Sequence, residues 1–135
     1  WVLIDGLARS GVAVLVTTHY LDEAEHSDRV AIMQSGRLAA LGTVPELKNV
    51  FASRPILEVQ TAQPVDAMRV LDAMPEVEKT SIFGTAVHAV LRSADVKAPA
   101  VEASLKAAAI PVTAIEQVEP SLEDVFLDVA ERSAA

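Results

Sequence analysis

The feature that most constrains the fold is an unbroken apolar run, Val12-Ala13-Val14-Leu15-Val16, extended by Thr17-Thr18 and held between Gly11 and His19. The run is too short for a buried helix, is rich in β-branched residues, and shows no apolar/polar alternation. That pattern predicts a strand covered on both faces, as in a parallel sheet of an α/β protein. Val2, Leu3 and Leu7 precede it at helical spacing, and Gly11 is a natural helix stop. A helix feeding such a strand places His19 at the strand's carboxyl end, the edge where open α/β sheets bind ligands. A histidine there can donate a hydrogen bond to a phosphate oxygen or hold an attacking water.

The next segments continue the α/β rhythm. Leu21 to Ser27 opens on Asp22, Glu23 and Glu25, acidic residues that favour a helix start; they read as a solvated face. Arg29 to Gln34 and Arg37 to Leu41 read as two strands around a Ser35-Gly36 hairpin turn. Thr43-Val44-Pro45-Glu46 is a capping box that opens a short helix to about Val50. Ser53-Arg54-Pro55 marks a boundary, beyond which the periodicity changes. The order becomes strand Ile56–Ala62, helix Pro64–Met74, strands Val77–Phe83 and Thr85–Arg92, helix Pro99–Ala109 and strand Ile110–Val118. This is the βαββαβ order of ferredoxin-like domains. A last helix starts at Leu122 behind a Ser121/Asp124 capping box, with Leu122, Val125, Phe126 and Val129 on one stripe, expected to face the core or a partner. The expectation is therefore α/β and α+β, with residues 1–52 as one part and residues 53–135 as a second domain.

Charge and composition remove several functions. The net charge is −8, and the 11 Lys and Arg residues form no stripe, so a phosphate backbone would be repelled and no nucleic acid is expected as a partner. The absence of cysteine excludes disulfides and thiolate metal sites. His19, Glu23 and His26 have helical spacing, but His19 precedes the helix, so no metal site is expected. No apolar run reaches the roughly 18 residues of a membrane span. With 51% apolar residues and a mean hydropathy of +0.32, the surplus points to a partner surface. The opening Trp1-Val2-Leu3-Ile4 reads as mid-helix, and the chain is expected to be a piece of a longer protein.

The stretch Val14-Leu15-Val16-Thr17-Thr18-His19-Tyr20-Leu21-Asp22-Glu23-Ala24-Glu25 resembles the switch-histidine segment of ABC ATPases. Ser27-Asp28-Arg29-Val30-Ala31-Ile32-Met33, Gly36-Arg37-Leu38 and Ala40 to Leu47 continue the resemblance to about residue 50. It implies that His19 is the catalytic switch histidine and contacts the ATP γ-phosphate in the intact parent, with Asp28 and Arg29 as scaffold. The pattern G-x-x-x-x-G-K-S/T, the signature segment and the acidic residue that ends the preceding strand in that family are not among these 135 residues. ATP and Mg2+ are thus expected as cofactors of the parent, an ATPase, and not of this chain alone. Pro120-Ser121-Leu122-Glu123-Asp124-Val125-Phe126-Leu127 resembles the end of the accessory C-terminal domain of exporter-type ATP-binding subunits, including multidrug efflux systems. The resemblance implies a membrane permease subunit and a second ATP-binding subunit as partners, and a cytoplasmic location at the inner face of the cell membrane. The accessory domain is expected to act in assembly or regulation, the alternative being a small-molecule-sensing ferredoxin-like module. A naked strand at 12–18 would seek pairing, so the chain by itself is expected to form a homodimer through residues 1–50.

Overall fold

The computed structural model describes residues 1–134, with the side chains of 133 and 134 outside the description. The elements are α1 (Val2–Arg9), α2 (Leu21–Ala24), β1 (Val30–Gln34), β2 (Arg37–Gly42), α3 (Val44–Lys48), a 3-10 turn (Asn49–Phe51), β3 (Ile56–Gln60), α4 (Pro64–Asp72), β4 (Val77–Phe83), β5 (Ala86–Leu91), α5 (Ala98–Ala107), β6 (Ala114–Val118) and α6 (Leu122–Ala134). The architecture is mixed α/β with two separate sheets. Packing divides it into two units, residues 1–48 together with the chain from Ser121 onward, and residues 49–120.

The unit of residues 49–120 has the expected βαββαβ order. Its sheet runs β4-β5-β3-β6 with every neighbouring pair antiparallel. The central strand β3 lies between β5 and β6 because each helix carries the chain across, which is the ferredoxin-like arrangement. One face carries Leu57 and Val59 of β3 with Val87, Ala89 and Leu91 of β5. Against them pack Ala67 and Leu71 of α4, Val101 and Leu105 of α5, and Ile110. Every residue of β5 is buried, His88 and Val90 on the opposite face included, as suits a central strand. Along α4 the buried stripe is Ala67 and Leu71, with Met68 at its margin, while Val65 stays 55% exposed. Helix α5 ends on a Schellman motif: Ala109 takes φ +59, its N–H donates to Lys106 O at 2.9 Å, and Ile110 N–H donates to Leu105 O at 3.0 Å. The accompanying apolar pair, Leu105 and Ile110, lies in the core.

In the other unit α1 forms as the spacing predicts. Gly11, at φ +91, supplies the left-handed residue that lets Gly11 N–H reach Ala8 O and Val12 N–H reach Leu7 O. The β1–β2 hairpin closes through Ser35 and Gly36, at φ 49 and 75, between the paired residues Gln34 and Arg37. Two successive positive φ values are what a type I′ turn demands. The Thr43/Glu46 capping box is complete, with Thr43 N–H donating to Glu46 Oε2 at 2.8 Å and Glu46 N–H to Thr43 Oγ1 at 3.3 Å.

Two expectations are corrected, the strand at 12–18 and the placement of α6, and the burial along α6 is uneven. Residues 12–18 form no strand; Val12, Val14 and Val16 are 40–48% exposed and Leu15 is 96% exposed. A strand exists through its ladder, and among the described residues nothing pairs with this run, so β propensity alone leaves it irregular. Phe126 does not join the buried stripe of α6 and is 37% exposed, whereas Leu122 and Val125 are 1% exposed and Asp124 and Asp128 are also buried. A polar pair occupies the inward positions because Asp124 is the capping-box partner of Ser121, its Oδ2 accepting the Ser121 N–H, and Asp128 is ion-paired with Arg132 at 3.0 Å. Finally, α6, read from sequence as an appendage of the second domain, packs with α2, α3, β1 and β2. Its ties there are Gln34 Nε2 donating to Ala130 O at 3.2 Å and Leu122 N–H donating to Glu25 Oε1 at 3.2 Å.

Candidate functional site

The site is the loop that carries His19. Thr18 holds it from both sides: its Oγ1 donates to Glu23 Oε2 at 2.9 Å and accepts Tyr20 N–H at 3.0 Å. The loop is thereby folded back on the single turn of α2. The His19 ring lies against Tyr20, centroids 4.1 Å apart and planes tilted by 36°, and the residue is exposed. An exposed imidazole held by a braced loop can present a ring N–H to an incoming anionic group. Asp22 is exposed, and Asp28 and Arg29 are exposed just ahead of β1. His26 is drawn to the ring of Trp1, 5.2 Å away. Among the described residues no group of three or more His, Cys, Asp or Glu side chains could hold a metal ion.

Glu25 has a role that sequence reasoning missed. In the sequence it belongs to a solvated acidic face. Instead its Oε1 pairs with Lys48 Nζ at 2.9 Å and accepts the Leu122 N–H. The Lys48 ammonium, opposed by partial burial and aided by the Leu122 N–H, holds the Glu25 carboxyl below the usual carboxylate range. No local signal could have found these partners, since Lys48 lies on α3 and Leu122 is 97 positions away. Glu46 is lowered too, by the Thr43 N–H and hydroxyl that complete the capping box. Both carboxyls bind protons more weakly folded than unfolded. Their stabilising contribution is therefore full above about pH 4.5, the ordinary value, and is lost as pH falls through the lower folded values. Glu25→Gln is expected to flatten the acid limb of a stability-versus-pH curve, followed by circular dichroism, and to matter little at neutral pH because the pair is partly exposed and screened. An unchanged acid limb would count against the pairing.

Residues 42–130, well over half of the chain, match the family described as ATP-binding protein DrrA1-3-like, C-terminal domain. The chain belongs to that family. It is 32% identical over 135 residues to the daunorubicin resistance ATP-binding protein DrrA2 of Streptomyces coeruleorubidus, a match covering 94% of this chain and 41% of that protein. It is 41% identical over 76 residues to the daunorubicin/doxorubicin resistance ATP-binding protein DrrA of Streptomyces peucetius, covering 54% of this chain and 23% of the relative. A third relative is the probable multidrug ABC transporter ATP-binding protein YbhF of Escherichia coli, 46% identical over 48 residues, 36% of this chain and 8% of that protein. The chain thus spans well under half the length of each of these relatives. As a DrrA1-3-like C-terminal domain it belongs to a family of ABC transporter ATP-binding proteins of the drug-efflux type.

Membership in an ATP-binding family implies ATP and Mg2+ for the intact protein. Of the residues present, His19 fits one contact, a ring N–H offered to a phosphate oxygen. A cradle for the β- and γ-phosphates needs successive backbone N–H groups and a lysine, and the described residues of this chain provide neither that arrangement nor a metal cluster. Among the described residues, no helix is long and apolar enough to cross a membrane.

Proposed function

We propose that this chain is the C-terminal part of the ATP-binding subunit of an ABC-type exporter, with the residue 49–120 unit as its accessory domain and α6 packed with the part that carries His19. His19 is then the switch histidine, one phosphate-directed donor among several supplied by the whole subunit. The observation that carries this reading is the braced loop Thr18-His19-Tyr20 on α2, in a chain whose match to an ATP-binding relative extends over 94% of its length. The subunit works against a membrane permease subunit and a second ATP-binding subunit, at the cytoplasmic face of the membrane. The DrrA relatives, named for daunorubicin and doxorubicin resistance, support an efflux role for the parent. The residue 49–120 unit serves assembly; a sensing role would show as thermal stabilisation by a small metabolite.

The test is nucleotide turnover. The 135-residue chain is expected to release no phosphate from Mg-ATP above a buffer blank, and the whole subunit to turn ATP over. Turnover by the chain that His19→Ala abolishes would overturn the reading.

The exposed apolar residues Val2, Leu3 and Leu15, 76–96% accessible, support association of the isolated chain through residues 1–50. A homodimer is expected in sedimentation velocity at micromolar concentration. A monodisperse monomer whose residues 12–18 are protected from hydrogen exchange would refute it. Such a dimer is distinct from the nucleotide-bridged pairing of whole ABC subunits, which requires a phosphate cradle.

A further inference from the structure

We infer that Glu25 is a positioning residue that ties the His19 loop to the first residue of the C-terminal helix α6, so that the placement of α6 sets the placement of His19. The inference rests on the proposed role of His19. Thr18 and Tyr20 flank His19, and both are bonded through the Thr18 hydroxyl to α2, whose Glu23 receives the Thr18 proton. The loop therefore goes where α2 goes. Helix α2 has only the four residues Leu21–Ala24; one isolated turn has no stability of its own, so its position comes from what holds it. It packs on α6. Glu25 follows directly as the C-terminal cap of α2, where a carboxylate opposes the helix dipole. Its position is explained by its partners. The same Oε1 pairs with Lys48 in the last turn of α3 and accepts the N–H of Leu122, the first residue of α6. That N–H is among the donors a helix start leaves without an intrahelical partner, and a negative charge is favoured there. Leu122 is itself 1% exposed, which fixes the start of α6 in the core of its unit. One carboxylate oxygen thus joins the ends of three helices, and the shortest of them carries the His19 loop. In the chain, α6 is also the first element after the residue 49–120 unit.

Two measurements test this. In the 135-residue chain, Glu25→Ala is expected to shift the amide resonances of Thr18 to Leu21 as well as those of Lys48 and Leu122. Movement confined to Lys48 and Leu122 makes Glu25 a local staple and overturns the inference. Should Glu25→Ala fail to fold, Glu25→Gln keeps an acceptor for the Leu122 N–H, removes the charge, and gives the same readout with smaller shifts. In the whole ATP-binding subunit, Glu25→Ala is expected to lower kcat about tenfold with the KM for ATP held within about twofold, the pattern of a displaced rather than deleted group. Glu25→Gln is expected to recover kcat to within about threefold of the parent, as a retained hydrogen bond would allow. His19→Ala runs alongside. If His19→Ala is impaired and Glu25→Ala retains parental kcat, the inference falls and the reading of His19 stands. If His19→Ala retains parental kcat, the reading of His19 falls, while the amide shifts still decide whether Glu25 holds the loop.

Discussion

His19→Ala in the whole ATP-binding subunit is expected to lower kcat by about 10²–10³, the typical cost of removing one donor aimed at charge that develops in a transition state. Nucleotide affinity is expected to change by far less, because one donor aimed at the transition state contributes little to ground-state binding. The structure makes the substitution clean. His19 is exposed, and its ring contact is with Tyr20. The loop is held by Thr18 and Glu23, which the substitution leaves in place. Loss of the ring therefore removes a functional group without leaving a cavity. Steady-state ATPase rates with a fluorescent-nucleotide binding titration separate the two effects. A variant whose kcat stays within about threefold of the parent would show that His19 is not a phosphate-directed donor.

The second large effect is on stability. Leu71→Ala is expected to destabilise the residue 49–120 unit by about 2–5 kcal/mol, the range for deleting a large aliphatic side chain from a core that cannot collapse around the gap. Leu71 is fully buried on α4, in the cluster formed with β3, β5 and α5. The sheet is rigid on one side of it, and Val101 and Leu105 of α5 are themselves fully buried, so little can move into the space. Val65→Ala on the same helix is the control. Val65 is 55% exposed, and its replacement is expected to stay within about 0.5 kcal/mol. Urea unfolding of both variants reads the difference as a shift in midpoint at constant slope. Equal midpoints for the two variants would mean that the α4 stripe is not the core face. Phe126→Ala is likewise expected to cost well below the roughly 3–5 kcal/mol of a buried phenylalanine, because the ring is 37% exposed.

Where a structural feature is set by a few neighbouring residues, the sequence determined it. The Ser35-Gly36 turn, the Thr43/Glu46 and Ser121/Asp124 capping boxes and the Gly11 helix stop all appear as read. Each is fixed by φ preferences or by hydrogen bonds spanning three or four residues, which are local properties. The βαββαβ order was legible for the same reason, since apolar periodicity switches visibly between 3.6 and 2 after Pro55. Family membership was legible in the ordered residues around His19, whereas the loop that carries it was not: the sequence reads Thr18 as the end of a strand and Glu23 as a solvated acid, and the structure bonds the two to each other. Tertiary structure decided the rest. Val12 to Thr18 has every local mark of a buried strand, yet a strand requires a partner ladder that residues 1–134 do not give it. Val125 and Phe126 are adjacent apolar residues on one helix, and only the packing of α6 on α2, α3 and the hairpin chose to bury the first and expose the second. Glu25 reads as one more acid in Asp22-Glu23-Ala24-Glu25. Its partners come from α3 and from a helix start 97 residues away, and a contact between chain segments so far apart leaves no periodicity, spacing or composition by which the sequence could announce it.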